Sequence, residues 1–190
     1  MSRYFYFVFT RPKDGQDAAF NSWYSDRHIY DLVAIPGIAA ARRFRLLDIE
    51  SGAAKPDYLA IYEFDDLDRA LSGIAERRGT DRMPSTDAID KETSRGVVLR
   101  PLWDVTPDWR FDTGIVDLAK RPAETDARLP DAAGRMVAHD RQSRPGPAVF
   151  DLAAFSPAPG DVPDAVGGLF VPTARLTARM APITERVVPA

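Results

Sequence analysis

One histidine of this chain lies between two residues that can assist it in moving a proton. Tyr24 precedes His28 by four residues and Asp31 follows it by three, and on a helix such separations bring side chains to one face. A carboxylate at one ring nitrogen fixes the tautomer and leaves the other nitrogen free to exchange a proton near neutral pH. The spacing therefore predicts His28 as general acid/base, Asp31 as the group that orients it, and Tyr24 as a holder of a substrate oxygen.

The same stripe of residues has a second, structural interpretation. At about 100° per residue, five side chains share one helical face, namely Phe20, Tyr24, His28, Asp31 and Ile35. A core helix fills such a face with Leu, Val and Ala, and buried polar groups cost free energy unless they find partners. The stripe therefore indicates either the wall of a substrate cavity or a hydrogen-bonded network, and Asp31 could simply pair with Arg27 at i−4.

Residues on other predicted elements could bind the substrate. The candidates are two arginines and three aromatic residues, Arg42, Arg43, Trp23, Tyr62 and Trp103. Arg42 shares a strand face with Phe44, so it is the better candidate to point inward and hold a carboxylate or phenolate. Among the aromatic residues, Tyr62 and Trp103 suit stacking on a planar substrate, with core packing as the alternative, and Trp23 is interpreted as interface or core packing.

Six predicted elements position these groups. Aromatic and β-branched runs between turn signals predict strands, and apolar periodicity with caps predicts helices. The predictions are strands over 4–10, 38–48, 58–64 and 97–105, a helix over 16–35 that Pro36-Gly37 ends, and a helix from capping carboxylates at 65–68 to residue 78. This β-α-β-β-α-β order is the ferredoxin-like arrangement, an α+β fold with both helices on one face of an antiparallel sheet.

The chain divides into a domain over 1–105 and a different segment over 106–190. The second segment holds 11 of the 16 prolines and has few periodic stretches, which predicts an irregular extension packed on the barrel or on a partner subunit. Residues 148–155 are a strand candidate, and 162–169 a short helix or loop. A faint echo between 7–15 and 152–160 leaves a decayed second repeat as the alternative.

Composition excludes several classes of protein. Cysteine is absent, which excludes disulfides, thiolate metal sites and a cysteine nucleophile. The second histidine, His139, is far from His28 and is interpreted as a surface-loop residue, so no protein-only metal site is predicted. Mixed charges with a net charge of −3 argue against nucleic acid as a partner. Without a signal-like start or a membrane-length apolar run, a cytoplasmic protein that binds no membrane is expected.

A longer pattern runs through the predicted helix and the strand that follows it. It reads Trp23-Tyr24-(x)3-His28-(x)2-Asp31-Leu32-(x)3-Pro36-Gly37-(x)4-Arg42-Arg43-Phe44. This pattern resembles the EthD-like branch of the dimeric α/β-barrel superfamily. The resemblance covers residues 3–105 and leaves 106–190 without a counterpart.

The resemblance implies a homodimer in which two ferredoxin-like sheets face each other and form a barrel, with a small-molecule cavity between each sheet and its helices. We therefore expect a cofactor-independent enzyme, with lyase, isomerase or cyclase chemistry favoured, that acts on an aromatic or keto/phenolic substrate in aromatic compound metabolism. Relatives imply two alternatives, a heme-binding or monooxygenase protein and a non-catalytic ligand-binding or structural barrel. Fold similarity alone does not decide among these reactions.

Overall fold

The computed structural model describes residues 3–49, 56–101, 115–122, 134–138, 148–155 and 176–190. The first half of the chain contains strands β1 Tyr4–Thr10, β2 Ile38–Ile49, β3 Tyr58–Phe64 and β4 Arg95–Pro101, and helices α1 Asp17–Trp23, α2 Ile29–Val33 and α3 Leu67–Arg77. A π-helical turn, Tyr24–His28, connects α1 to α2. The second half contains β5 Ile115–Pro122, β6 Gly134–Ala138, β7 Ala148–Phe155 and β8 Leu176–Pro182.

The first four strands form the predicted ferredoxin-like sheet. Their order is β4-β1-β3-β2, and every neighbouring pair is antiparallel. Strands β1 and β3 have the predicted bounds. The helices cover one face of this sheet, where alternate β3 residues, Tyr58, Ala60, Tyr62 and Phe64, join the helical residues in one apolar cluster. The α+β ferredoxin-like fold is therefore confirmed.

The other four strands close the sheet into an eight-stranded barrel. Their order is β8-β5-β7-β6, and the antiparallel pairs β2·β8 and β4·β6 join the two sheets. Numbered within its own half, each sheet has the order 4-1-3-2, so the second half repeats the strand order of the first. Strands of the same chain thus occupy the position that the sequence analysis assigned to a partner subunit, and a homodimer stays a prediction.

Of the second half, only β7 had been a strand candidate. The 105/106 boundary and the segment 162–169 lie outside the described residues. The echo between 7–15 and 152–160 aligned β1 with β7, whereas the strand order equates β1 with β5. A short sequence similarity agrees with the equivalence of β1 and β5. An Arg-Pro pair follows β1 at Arg11-Pro12, and another ends β5 at Arg121-Pro122.

The turn at Pro36-Gly37 fixes how the helices meet the sheet. Gly37 has a φ of 97°, and its carbonyl oxygen accepts a hydrogen bond from the Asp65 N–H (3.1 Å). A Cβ on Gly37 would lie 2.6 Å from the Asp66 carbonyl oxygen, so only glycine fits there. Asp66 then caps α3 as predicted, its carboxylate accepting from the Arg69 N–H at 3.1 Å. No helix in the described part of the chain is long and apolar enough to cross a membrane.

Candidate functional site

A cavity of about 380 Å³ lies between the helices and the first sheet. Its volume is in the range of small-molecule sites. Strands contribute Tyr6, Val8 and Tyr62, and helices contribute Trp23, Tyr24, His28, Leu32 and Ile74. The remaining wall comes from the end of α3, the segment that leads into β4 and the first two residues of β4, with Arg78, Gly79, Met83, Pro84, Ser85, Thr86, Ile89, Lys91, Ser94, Arg95 and Gly96. The structure thus brings four of the predicted site residues, Trp23, Tyr24, His28 and Tyr62, to one cavity.

The π turn places Trp23 beside His28. The sequence analysis assumed one continuous α-helix, in which residues five apart point about 140° away from each other. The i→i+5 pairing of a π turn brings such residues together, and π turns are frequent at functional sites. The two rings stack with centroids 4.1 Å apart and planes 21° apart. The Trp23 Nε1–H donates to the Pro84 carbonyl (3.3 Å), which ties this stack to the opposite cavity wall.

His28 is held as a neutral ring. Burial, followed by the positive charges of Arg43 and Arg78, lowers its pKa from the usual value to about 4. Its Nδ1 is enclosed and has no hydrogen-bond partner among the described residues. A buried ring nitrogen without a partner costs free energy. His28 therefore combines a neutral state at pH 7 with hydrogen-bonding capacity that the described protein groups leave unused.

The predicted pairing of His28 with Asp31 is not formed. Asp31 instead accepts from the Arg27 Nε–H at 3.3 Å, an i,i+4 pair in which Arg27 is 53% exposed. Asp31 is also absent from the cavity lining. The π turn accounts for the difference, because the three-residue separation of an ideal helix does not hold across a turn with wider spacing. The alternative role for Asp31, the ion pair with Arg27, is the one observed.

Two tyrosine hydroxyls meet at the inner wall of the cavity. Tyr24 Oη and Tyr62 Oη are 2.8 Å apart, and both residues are almost fully buried. Burial raises the pKa of Tyr24 to about 12 and raises the pKa of Tyr62 well above its usual value. Both are therefore neutral phenols at physiological pH. One proton of this pair is used in their mutual bond, which leaves the other for an acceptor in the cavity.

Arg43 lies behind this wall and does not line the cavity. It is fully buried, and its guanidinium lies 4.3 Å from the centroid of the Tyr24 ring. It donates to Ser25 Oγ and to Asn21 Oδ1, the latter at 3.0 Å. Burial lowers the pKa of this guanidinium. The predicted direct contact of Arg43 with substrate is therefore not supported by its position, and its charge acts on the cavity through Tyr24 and His28.

The other predicted substrate-binding residues lie elsewhere. Arg42 points to the barrel side of β2, where its Nε donates to the Thr184 carbonyl (3.0 Å) and its guanidinium lies 5.8 Å from the Phe44 ring centroid. Its shared face with Phe44 was predicted correctly, but that face is not the cavity face. Trp103 and His139 lie outside the described residues.

The cavity also contains residues that the sequence analysis missed. The cations Arg78, Lys91 and Arg95 line it, yet the loop over 80–95 has no periodicity that would have placed them. Tyr6 packs against Gly96, where a Cβ would lie 2.4 Å from the Tyr6 hydroxyl. A glycine directly before the predicted strand 97–105 was the available signal, since glycines in or beside strands often mark a close approach.

Within the described ranges, no group of three or more His, Cys, Asp or Glu side chains is arranged to hold a metal ion. His28 is the only histidine in those ranges. It is therefore the single imidazole there that could contact a cofactor.

Comparisons with known proteins give a distant likeness. No protein-family model matches the chain, and no curated protein matches it in sequence. Two solved structures resemble it, each described by the words putative monooxygenase. The Fusobacterium nucleatum protein has a TM-score of 0.48 at 8% identity, covering 80% of this chain and 75% of its own. The Lactobacillus acidophilus protein has a TM-score of 0.44 at 13% identity, covering 80% and 77%. Likeness at this level carries no argument about chemistry.

Proposed function

We propose that this protein is a cofactor-independent enzyme of the EthD-like type that moves a proton on an aromatic or keto/phenolic small molecule. One observation carries the proposal: His28 is a neutral histidine in the wall of a cavity of about 380 Å³, with a ring nitrogen that no described protein group satisfies. The reaction class is that of a lyase, isomerase or cyclase, in which proton transfer makes or uses an enolate or phenolate.

The surrounding charges suit an anionic intermediate. Arg43 and Arg78 both disfavour a proton on His28, and the same positive field stabilises negative charge that develops on a bound substrate. When His28 accepts a proton from carbon or oxygen, the resulting anion offsets this field and raises the pKa of the imidazolium. The proton is therefore held on His28 while the anion is present and returns when the anion is consumed.

The Tyr24–Tyr62 pair supplies the complementary hydrogen bond. A neutral phenol with a pKa of about 12 donates to an enolate oxygen without losing its own proton. The stacked Trp23 ring offers a flat apolar surface beside His28, which suits a planar aromatic substrate. These contacts support acid/base chemistry at His28 and oxygen binding at Tyr24.

The test follows a C–H bond that becomes labile when its proton is removed. Keto acids and phenolic ketones are incubated with the protein in deuterium oxide, and deuterium incorporation above the buffer rate is followed by proton NMR. We expect exchange with the wild type and a loss of about 100-fold or more in His28→Ala, since general bases contribute this much. Tyr24→Phe should retain exchange at a reduced rate.

Asp31→Asn is the matched control. It changes the same helix by one charge, but Asp31 is bonded to Arg27 and does not touch His28. We expect an exchange rate within a few-fold of wild type. Full exchange in His28→Ala, with its fold intact by circular dichroism, would overturn the proposal.

A non-catalytic ligand-binding barrel is the second candidate. The bonds of Tyr24 to Tyr62 and of Asp31 to Arg27 favour it, because these two polar residues of the stripe are bonded within the protein itself. This candidate predicts ligand binding without isotope exchange in any variant. The heme alternative predicts a coloured protein with a Soret absorption band on purification.

A further inference from the structure

The described charged residues that line the cavity are all of one sign. Arg78, Lys91 and Arg95 line it, and no Asp or Glu of the described ranges does. All three cations are exposed, whereas Tyr24 and Tyr62 at the inner wall are 2% and 1% exposed. The cavity therefore has an apolar, hydrogen-bonding inner end and a cationic outer end.

These cations have no acidic partner among the described residues. In the part of the chain that the structure describes, Arg78 and Lys91 make no ion pair and no side-chain hydrogen bond, and Arg95 donates only to the Glu92 and Ser94 carbonyl oxygens (2.5 and 2.7 Å).

Neighbouring arginines outside the cavity differ. Arg82 pairs with Glu76 at 2.6 Å and Arg27 with Asp31 at 3.3 Å. Acidic side chains are thus available on the same elements and contact the arginines that face away from the cavity. The contrast indicates that the positive charge of the outer end is left for a ligand.

One ligand could contact both the inner and the outer end of the cavity. The positive charge of Arg78 acts on His28 and on Tyr6, so the outer cation is electrostatically coupled to the inner aromatic wall. A cavity of about 380 Å³ holds one drug-sized molecule. An aromatic body at the inner end then places a short acidic group at the cations.

We infer that the substrate is an amphipathic anion, an aromatic carboxylate whose ring contacts Trp23 and His28 and whose carboxylate is bound by Arg78 with Lys91 and Arg95. This inference rests on the proposed function for the location of the site, and it adds the charge and polarity of the substrate. Arginine binds a carboxylate through two parallel N–H donors, so Arg78 is the specificity-determining residue. A neutral analogue of the same shape leaves this contact unmade.

A matched pair of probes tests the inference. The probes are 3-phenylpropanoate and 3-phenylpropanamide, which share shape and differ in charge, and binding is measured by isothermal titration calorimetry. We expect the acid to bind about tenfold or more tighter than the amide, since a charged hydrogen-bonded pair at a partly desolvated site gives this discrimination. The preference should fall as salt concentration rises.

Substitutions assign the effect to residues. Arg78→Gln should weaken acid binding by about tenfold and leave amide binding unchanged, and Lys91→Gln should act in the same direction with a smaller effect. Arg77→Gln is the control, because Arg77 precedes Arg78 at the same helix end and does not line the cavity. Urea denaturation confirms that each variant folds.

The outcomes separate this inference from the proposed function. Equal binding of acid and amide, no binding of either probe, or equal losses in the Arg77 and Arg78 variants would overturn the inference. A preference for the acid that depends on Arg78 would support the inference about the ligand. If no substrate then shows isotope exchange, the proposed proton-transfer activity is wrong. The ligand-binding candidate would then hold.

Discussion

The two halves of the barrel have the same strand order, but the connection between the first and second strands is much longer in the first half than in the second. In the first half, residues 11–37 join β1 to β2 and contain two helices and the π turn. In the second half the equivalent connection between β5 and β6 is residues 123–133, less than half as long. The strands alone form the barrel, whereas every described residue that lines the cavity comes from the first half.

The comparison separates the framework from the site. Antiparallel pairing and closure need only the strands and their alternating side chains. The cavity needs, in addition, a helical layer packed on the sheet through aromatic residues and positioned by the Gly37 turn. The candidate site therefore depends on the helices of the first half, and the described strands of the second half form the framework that covers the barrel side of the sheet.

The largest predicted effect concerns the contact that joins the halves. Glu63 of β3 is 4% exposed and accepts two hydrogen bonds from Arg186, which follows β8, at 2.8 and 2.9 Å. Glu63→Gln removes a buried negative charge that two cations face, Arg186 at 2.8 Å and Arg3 at 3.5 Å, and we expect unfolding free energy to fall by about 4 kcal/mol. Urea denaturation measures it, and both halves should unfold in one transition.

The surface pair Glu76–Arg82 provides the control. Its side chains are 68% and 59% exposed, so Glu76→Gln should change stability by no more than about 0.5 kcal/mol. Equal effects at Glu63 and Glu76 would show that the two halves are not coupled through this buried pair.

The sequence predicted the framework of the first half better than it predicted the site. Strands β1 and β3 were found with their bounds because aromatic and β-branched runs between turn residues carry a strong local signal. The helix was predicted without its π turn, since one extra residue in a turn hardly alters apolar periodicity. That change moved Trp23 beside His28 and removed Asp31 from it.

The second half and the outer cations were missed for a related reason. Its strands are separated by proline-rich connections, and their pairing with β2 and β4 is a long-range property that no short window of sequence contains. Three cations, Arg78, Lys91 and Arg95, line one cavity only because α3 ends beside the segment that leads into β4 and the start of that strand. In each case the decisive contact joins residues that are distant along the chain or displaced by a local irregularity.

The second predicted effect is a pH dependence of stability that arises from the histidine of the first half. His28 lies in the first half, where its pKa is about 4; the other histidine, His139, lies in the second. In the unfolded chain His28 binds its proton near pH 6.5, so the unfolded state binds more protons between these values. The contribution of neutral His28 to the unfolding free energy is therefore fully present above about pH 6.5, and the unfolding free energy falls by up to about 3 kcal/mol as the pH approaches 4.

His28→Gln should remove this part of the pH dependence. Urea denaturation of wild type and variant at a series of pH values between neutral and about 4 measures the difference, and the ring-proton NMR signal missing from the variant identifies His28. A His28 signal that titrates near its ordinary value would contradict the enclosed, neutral ring.

The third and smallest effect concerns how the helical layer is attached. Gly37→Ala forces a Cβ to within 2.6 Å of the Asp66 carbonyl at a φ of 97°, and we expect a loss of about 2 kcal/mol. Gly15→Ala is its control, because Gly15 has a φ of 74° and no atom within 4 Å of the added Cβ. That variant should lose about 1 kcal/mol. A larger loss of unfolding free energy in Gly15→Ala than in Gly37→Ala would show that the close contact of Gly37 with α3 does not determine the cost of a side chain there.

Closure of the barrel by β8 and β6 of the same chain has a consequence for mass action. A barrel assembled from two subunits loses its interface on dilution, because association depends on protein concentration. Here the pairs β2·β8 and β4·β6 are intramolecular, so barrel closure has a fixed effective concentration set by the linking chain. The covered sheet, and the cavity built on its other face, should therefore persist at any protein concentration at which the chain itself stays folded.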